Sequence, residues 1–182
     1  MLFRSQRAIT LLLDRDAVVP LRAQRTLVVQ YAPETELKAG RVFAPTLVAA
    51  LPGSRAVKIL PNVSASQLDS IAVLGRAMDR IVIATYVRRI EGEGRFAMPP
   101  QIASWIDSLA SQPTGPKLVV AAFGNPYIIR QFPHVGSYLV TYGVSDDLER
   151  GAARALLGVA PISGRSPISL PGFFRAGDGL SR

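Results

Sequence analysis

Cysteine is absent from this chain. Its absence excludes disulfides, thiolate metal sites and cysteine nucleophiles, and leaves the redox compartment open. Histidine occurs once, as His134 between Pro133 and Val135. A lone imidazole has no metal partners at ligand spacing. No serine stands in a G-x-S-x-G context, so a hydrolase triad is unsupported, and His134 reads as structural or exposed. Lysine occurs only at positions 38, 58 and 117, so the net charge of +8 comes mainly from arginine. Those arginines are scattered. With no basic helix, zinc-finger spacing or RNP-type aromatic motif, nucleic acid is not expected as a partner. No apolar run approaches the roughly 18 residues of a membrane helix. The opening MLFRSQRAITLLLDRD has a short apolar stretch and no small-residue cleavage site, so it is not a signal peptide. It reads as starting in the middle of a structural element.

What the chain does have is a hydrophobic share of 48% against a charged share of 19%. That balance argues against disorder and suits strands covered on both faces. The length of 182 residues allows one domain, able to bury roughly 70% of its unfolded surface.

Strand patterns recur at 26–30 (TLVVQ), 57–60 (VKIL), 81–87 (IVIATYV), 118–122 (LVVAA) and 138–142 (YLVTY), rich in β-branched residues. Residues 168–170 are read as a short last strand, and 8–13 as a helix end or an edge strand. Helical patterns lie between, at 43–51, 65–78, 99–111 and 148–157. Ser64 with Gln67 forms a capping box, Pro99 or Pro100 suits a first helical turn, Asp146 and Asp147 complement a helix dipole, and Gly158 ends that helix. Strands alternating with helices indicate βαβ units. The expected fold is a three-layer α/β sandwich, a mainly parallel sheet of five or six strands with helices on both faces. Residues 1–172 form its domain and 173–182 a tail.

Ligands of such sheets bind outside the carboxyl ends of the strands. The loops 88–98, 123–127 and 143–146 leave those ends. In the second, Gly124 permits a positive φ, and Asn125 is extended because Pro126 follows. Two readings stand: Asn125 or Tyr127 faces a neighbouring domain or a sugar, or the segment is turn chemistry alone. The loop RRIEGEGRF carries Glu91 and Glu93 between glycines. Either it is a solvated loop or one Glu swings to a sugar bound elsewhere. The Gly-x-Gly pair lacks the third glycine and following helix of a dinucleotide fingerprint. At the end of the chain Pro161, Gly164, Pro167, Pro171 and Gly172 dictate turns.

Several phrases resemble the C-terminal α/β domain of family-three glycoside hydrolases, of the bacterial β-N-acetylhexosaminidase or β-glucosidase type. They are RAITLLLDRDAVVPL, IEGEGRFAMPPQ, VVAAFGNPYIIRQFP and YLVTYGVSDDLERGAARALLGVAPISGRSPISLPG. Ser166 stands where that family's closing phrase has leucine. The resemblance implies a retaining enzyme whose aspartate nucleophile lies on an N-terminal TIM-type barrel. A barrel needs about 200 residues or more, so it cannot share this chain with its own sheet. The implied role is accessory: the domain lines the rim of the active site of that barrel, its partner, and the whole enzyme acts on terminal β-linked N-acetylhexosamine or glucose. In the glucosidase branch a second-domain Glu is the acid/base, which points to Glu93, or less directly Glu91. In the hexosaminidase branch a His-Asp pair on the barrel does that work. Arg88, Asn125 and Tyr127 become substrate-binding or domain-interface candidates. No cofactor and no metal are implied, and the isolated chain is expected to be inactive. A periplasmic or secreted parent enzyme fits the resemblance. The alternative is a free-standing, non-catalytic α/β binding or interaction module. A nucleotide-binding version of it would need a glycine loop opening a helix, which the sequence lacks.

Overall fold

A computed structural model describes residues 8–22, 24–87 and 97–182. Six strands form one sheet: β1 Thr10–Asp14, β2 Thr26–Tyr31, β3 Arg55–Ile59, β4 Arg80–Val87, β5 Lys117–Gly124 and β6 Ser137–Val140. Their order is β1-β6-β5-β4-β2-β3. All neighbours are parallel except β1, which pairs antiparallel with β6. The segment 8–13, open between helix end and edge strand in the sequence, therefore supplies that edge strand. Among the described residues four full helices accompany the sheet: α1 Phe43–Ala50, α2 Ala65–Arg76, α3 Pro100–Ala110 and α4 Asp146–Leu156. A 3₁₀ helix, Pro126–Gln131, joins β5 to β6.

The helix ends follow local chemistry. The Ser64 and Gln67 side chains exchange bonds with each other's backbone N–H at the start of α2. Ser145 accepts from Leu148 N–H at the start of α4, whose first turn holds Asp146, Asp147 and Glu149. Gly158, at φ +71°, stops that helix.

The period-two alternation of the strands divides the core. Leu27, Val29, Ile81, Ile83, Leu118 and Val120 meet Leu68 and Ile71 of α2 and Ile102 and Ile106 of α3 on one face. Val28, Val82, Ala84, Val119, Ala121 and Leu139 meet Phe43 and Leu47 of α1 and Ala152, Ala153 and Leu156 of α4 on the other. Helices thus cover both faces, and the central strands read as continuous apolar runs for that reason. At the far edge, β3 keeps Arg55 and Lys58 exposed.

The expected last strand at 168–170 is not formed. Only one isolated bridge, Leu170 to Phe174, occurs there. Pro167 and Pro171 flank it, and each removes a ladder donor. Ser166 is buried, and its hydroxyl donates to Ile168 O at 2.7 Å. A polar turn contact thus occupies the position where leucine was expected.

Residues 173–182 bond back along the β1 edge. Leu180 N–H donates to Leu11 O at 2.7 Å, and Ile162 and Arg182 exchange backbone bonds at 2.9 and 3.1 Å. The Asp14 carboxylate, fully buried, gathers this corner. Its Oδ1 accepts from Val18 N–H at 2.9 Å and from the Ser137 hydroxyl at 2.9 Å, and its Oδ2 accepts from Arg182 Nη2 at 3.0 Å. Losing a buried carboxylate strands several donors at once. Asp14→Ala should therefore cost about 3 kcal/mol or more, and Asp14→Asn less, because its amide oxygen still accepts. Urea denaturation of the two variants checks this order.

Burial raises the hydroxyl pKa of Tyr31, Tyr86, Tyr138 and Tyr142 above the ordinary value of 10.0. A raised folded pKa means that the unfolded chain releases these protons first. The stability they contribute is complete below about pH 10 and is lost as pH rises beyond it. Denaturant midpoints at about pH 9 and about pH 11 should differ, with the alkaline one lower.

Candidate functional site

The parallel strands run outward from β2 in two directions. β3 lies on one side of β2, while β4, β5 and β6 follow on the other. The order reverses between β2 and β4, and open α/β sheets bind ligands at the carboxyl ends of the strands at such a reversal. Among the described residues the loops 32–42, 60–64, 123–127 and 143–146 border that edge. The second and third loops expected from the sequence are the last two of these, loop 88–98 lies mostly outside the described residues, and loop 32–42 after β2 was not anticipated.

The 123–127 turn is built as its residues dictate. Gly124 has φ +105°, a conformation open to glycine. Asn125 is extended at φ −83° and ψ 111°, and its side-chain oxygen accepts from Tyr127 N–H at 2.9 Å, capping the 3₁₀ helix. Asn125 N–H donates to Val87 O at 2.7 Å, which seats the turn beside the end of β4. Beneath it the buried Tyr138 hydroxyl donates to Pro126 O at 3.0 Å. Tyr127 is 45% exposed at this edge. Asn125 thus has a local turn role, and the Tyr127 side chain is exposed. Arg88, Glu91 and Glu93 lie outside the described residues. Met98 N–H and C=O are both bonded by the Gln131 carboxamide, at 2.9 and 3.0 Å.

The 32–42 loop folds through successive turns, Glu36 N–H to Pro33 O at 3.0 Å and Ala39 N–H to Glu36 O at 3.1 Å. Its centre is Glu149 of α4, only 1% exposed. One carboxylate oxygen accepts from Gly40 N–H at 2.8 Å. The other accepts from Val42 N–H at 2.8 Å and Phe43 N–H at 2.9 Å. Helix α1 has no side-chain cap of its own at Val42, so a carboxylate more than a hundred residues away fills that role. Gly40 has φ +77°, and a Cβ there would overlap the buried Gln30 carboxamide. Tyr86 lies underneath, stacked on Phe123 at 4.7 Å between ring centres, with Phe43 edge-on to Phe123 at 5.1 Å. Burial and then the nearby Glu149 carboxylate hold the Tyr86 hydroxyl far above its usual range. An open cleft of about 290 Å³ separates the loop from the start of α4, lined by Glu36, Leu37, Lys38, Ser145, Asp146 and Glu149 among others.

Sequence reasoning passed over Glu149 because an acidic residue in a first helical turn already has a local explanation. A signal was present at the other end of the contact: Val42-Phe43 opens a helix with no Ser, Thr, Asp or Asn to cap it. Among the described residues no three His, Asp or Glu side chains gather as metal ligands. His134 pairs through Nδ1 with Asp107 at 2.9 Å, before the start of β6 and so at the amino edge of the sheet.

The 123–127 turn yields a graded expectation. Asn125→Ala loses the cap and should cost about 1 kcal/mol. Gly124→Ala forces a side chain into a strained backbone and should cost on the order of 1–3 kcal/mol. Thermal or urea unfolding of both variants tests this.

No family model matches the chain, and no curated protein matches it in sequence. Solved structures do match in fold. A glycoside hydrolase family 3 β-N-acetylglucosaminidase from Paenibacillus sp. str. FPU-7 matches with TM-score 0.75 and 21% identity, over 90% of this chain and 30% of that one. A fungal multi-domain family 3 β-N-acetylglucosaminidase matches with TM-score 0.72 and 23% identity, over 96% of this chain and 19% of that one. A β-glucosidase from Listeria innocua, solved with isofagomine, matches with TM-score 0.70 and 15% identity, over 90% of this chain and 26% of that one. The chain therefore spans less than a third of each enzyme, and its fold is that of one part of these glycosidases.

Proposed function

We propose that this chain is the accessory C-terminal α/β domain of a retaining family 3 glycoside hydrolase acting on terminal β-linked N-acetylhexosamine or glucose. The coverage carries the reading: nine-tenths or more of this chain superposes on at most 30% of each matched enzyme. The chemistry agrees. Retaining glycosidases need two carboxyl groups about 5–5.5 Å apart, one of them a nucleophile. Glu149, the buried carboxylate anchoring this edge, is committed to three backbone donors. In this reading the nucleophile comes from a partner barrel, and the carboxyl edge of this sheet forms the rim of its sugar pocket. Tyr127 meets the sugar or the barrel there, with Asn125 shaping the turn that presents it. Arg88 is a further contact. Glu93, or Glu91 in second place, is the candidate acid/base.

The test begins in the DNA around Met1, which should encode an eight-fold βα barrel in frame or as a neighbouring gene. Neither polypeptide alone should cleave nitrophenyl N-acetyl-β-glucosaminide or nitrophenyl β-glucoside, and the two together should. Turnover by the purified 182-residue chain alone would overturn the accessory reading. In the assembled enzyme Glu93→Gln should lower kcat by about 10²–10⁴-fold. Unchanged kcat would remove the acid/base assignment from Glu93 and leave the accessory role standing.

A further inference from the structure

We infer that loop 32–42 is an element of this domain that docks on the barrel, and that Glu149 is the positioning residue that presets it. This rests on the accessory reading above. Three observations combine. First, the loop leaves β2, one of the two strands at the reversal of order, and so stands on the edge where a ligand or partner lies. Second, it is compact although it is a surface loop: Glu36, Ala39 and Gly40 are buried, while Leu37 between them is 77% exposed. A leucine held out on a folded loop gains nothing within this domain, and among the described residues Tyr127 is also a large side chain exposed at this edge. Third, Glu149 ties Gly40, Val42 and Phe43 to α4, and Ala32 N–H bonds Ile59 O at 3.4 Å at the other end of the loop. A loop fixed at both ends loses little conformational entropy when a partner docks.

The occupant is the barrel rather than a second copy of this chain. Each matched enzyme carries 70% or more of its length outside this fold, and that remainder is what a preformed edge would meet. Lys38 follows the exposed leucine, so the seat on the barrel should be an apolar socket with an acidic rim.

The first experiment reads Glu149 in the isolated chain by amide hydrogen exchange. A glutamine accepts through one oxygen only. Turned to serve Val42 and Phe43, it presents its NH₂ to the Gly40 N–H. Glu149→Gln should therefore speed exchange at Gly40 at least tenfold, with Val42 and Phe43 changed much less. Glu149→Ala should release all three amides, and those of β4 and β5 should hold in both variants. Uniform acceleration across the sheet, or no change at Gly40, would overturn the positioning role.

The second experiment uses the barrel and this chain as separate polypeptides in calorimetric titration. Leu37→Asp should weaken their association at least tenfold, with the circular dichroism of the chain unchanged. Association unaltered by Leu37→Asp would overturn the docking role alone. If the unsubstituted pair does not associate, the accessory reading falls and the docking role falls with it.

Discussion

The handedness of the crossovers governs this molecule. A parallel strand–helix–strand connection is right-handed almost without exception. The connection from β2 to β3 therefore places α1 on one face. The next connection runs back past β2 to β4 and must place α2 on the opposite face. From β4 onward the strands keep one direction, so α3 and the 3₁₀ helix stay with α2. That leaves the α1 face bare above β5 and β6. Helix α4 fills the space, and its Ala152, Ala153 and Ala155 allow a close seat on the sheet. The meeting of α1 and α4 is thus a consequence of topology, and Glu149 sits at that meeting.

Two buried carboxylates do similar work at different corners. Asp14 joins β1, β6 and the last residue of the chain; Glu149 joins α4, α1 and the loop from β2. Glu149 is held by three backbone N–H groups, and Asp14 by the Val18 and Val19 N–H groups together with the Ser137 hydroxyl and the Arg182 guanidinium. Each replaces a local cap or turn with a contact between segments distant in sequence.

Much of the fold was legible because it is written locally. β4 and β5 announce themselves as apolar, β-branched runs, and Ser64 with Gln67 marks the start of α2 within four residues. The Gly124-Asn125-Pro126 turn follows from the dihedral limits of its own residues. The parts that escaped depend on contacts no window contains. Glu149 explains itself as a dipole partner within α4, so nothing in its neighbourhood points to Val42. The 168–170 segment shows the reverse error: its apolar pattern suggested a strand, and the prolines on either side prevented one. The turn geometry around Asn125 and Tyr127 was legible from their own residues. The place of loop 32–42 at the carboxyl edge was not, because it follows from the order of strands in the sheet.

The sheet also has two unlike margins. On the β1 side, the chain's own final residues occupy the outer hydrogen-bonding positions around Leu11. On the β3 side, Arg55 and Lys58 project where another strand would have to approach. One margin is closed by covalent continuity and the other by positive charge. Sheet-to-sheet polymerisation, the common hazard of exposed strand edges, thus meets an obstacle in both directions. A protein that must keep one edge available for a partner can hold its remaining edges solitary in this way.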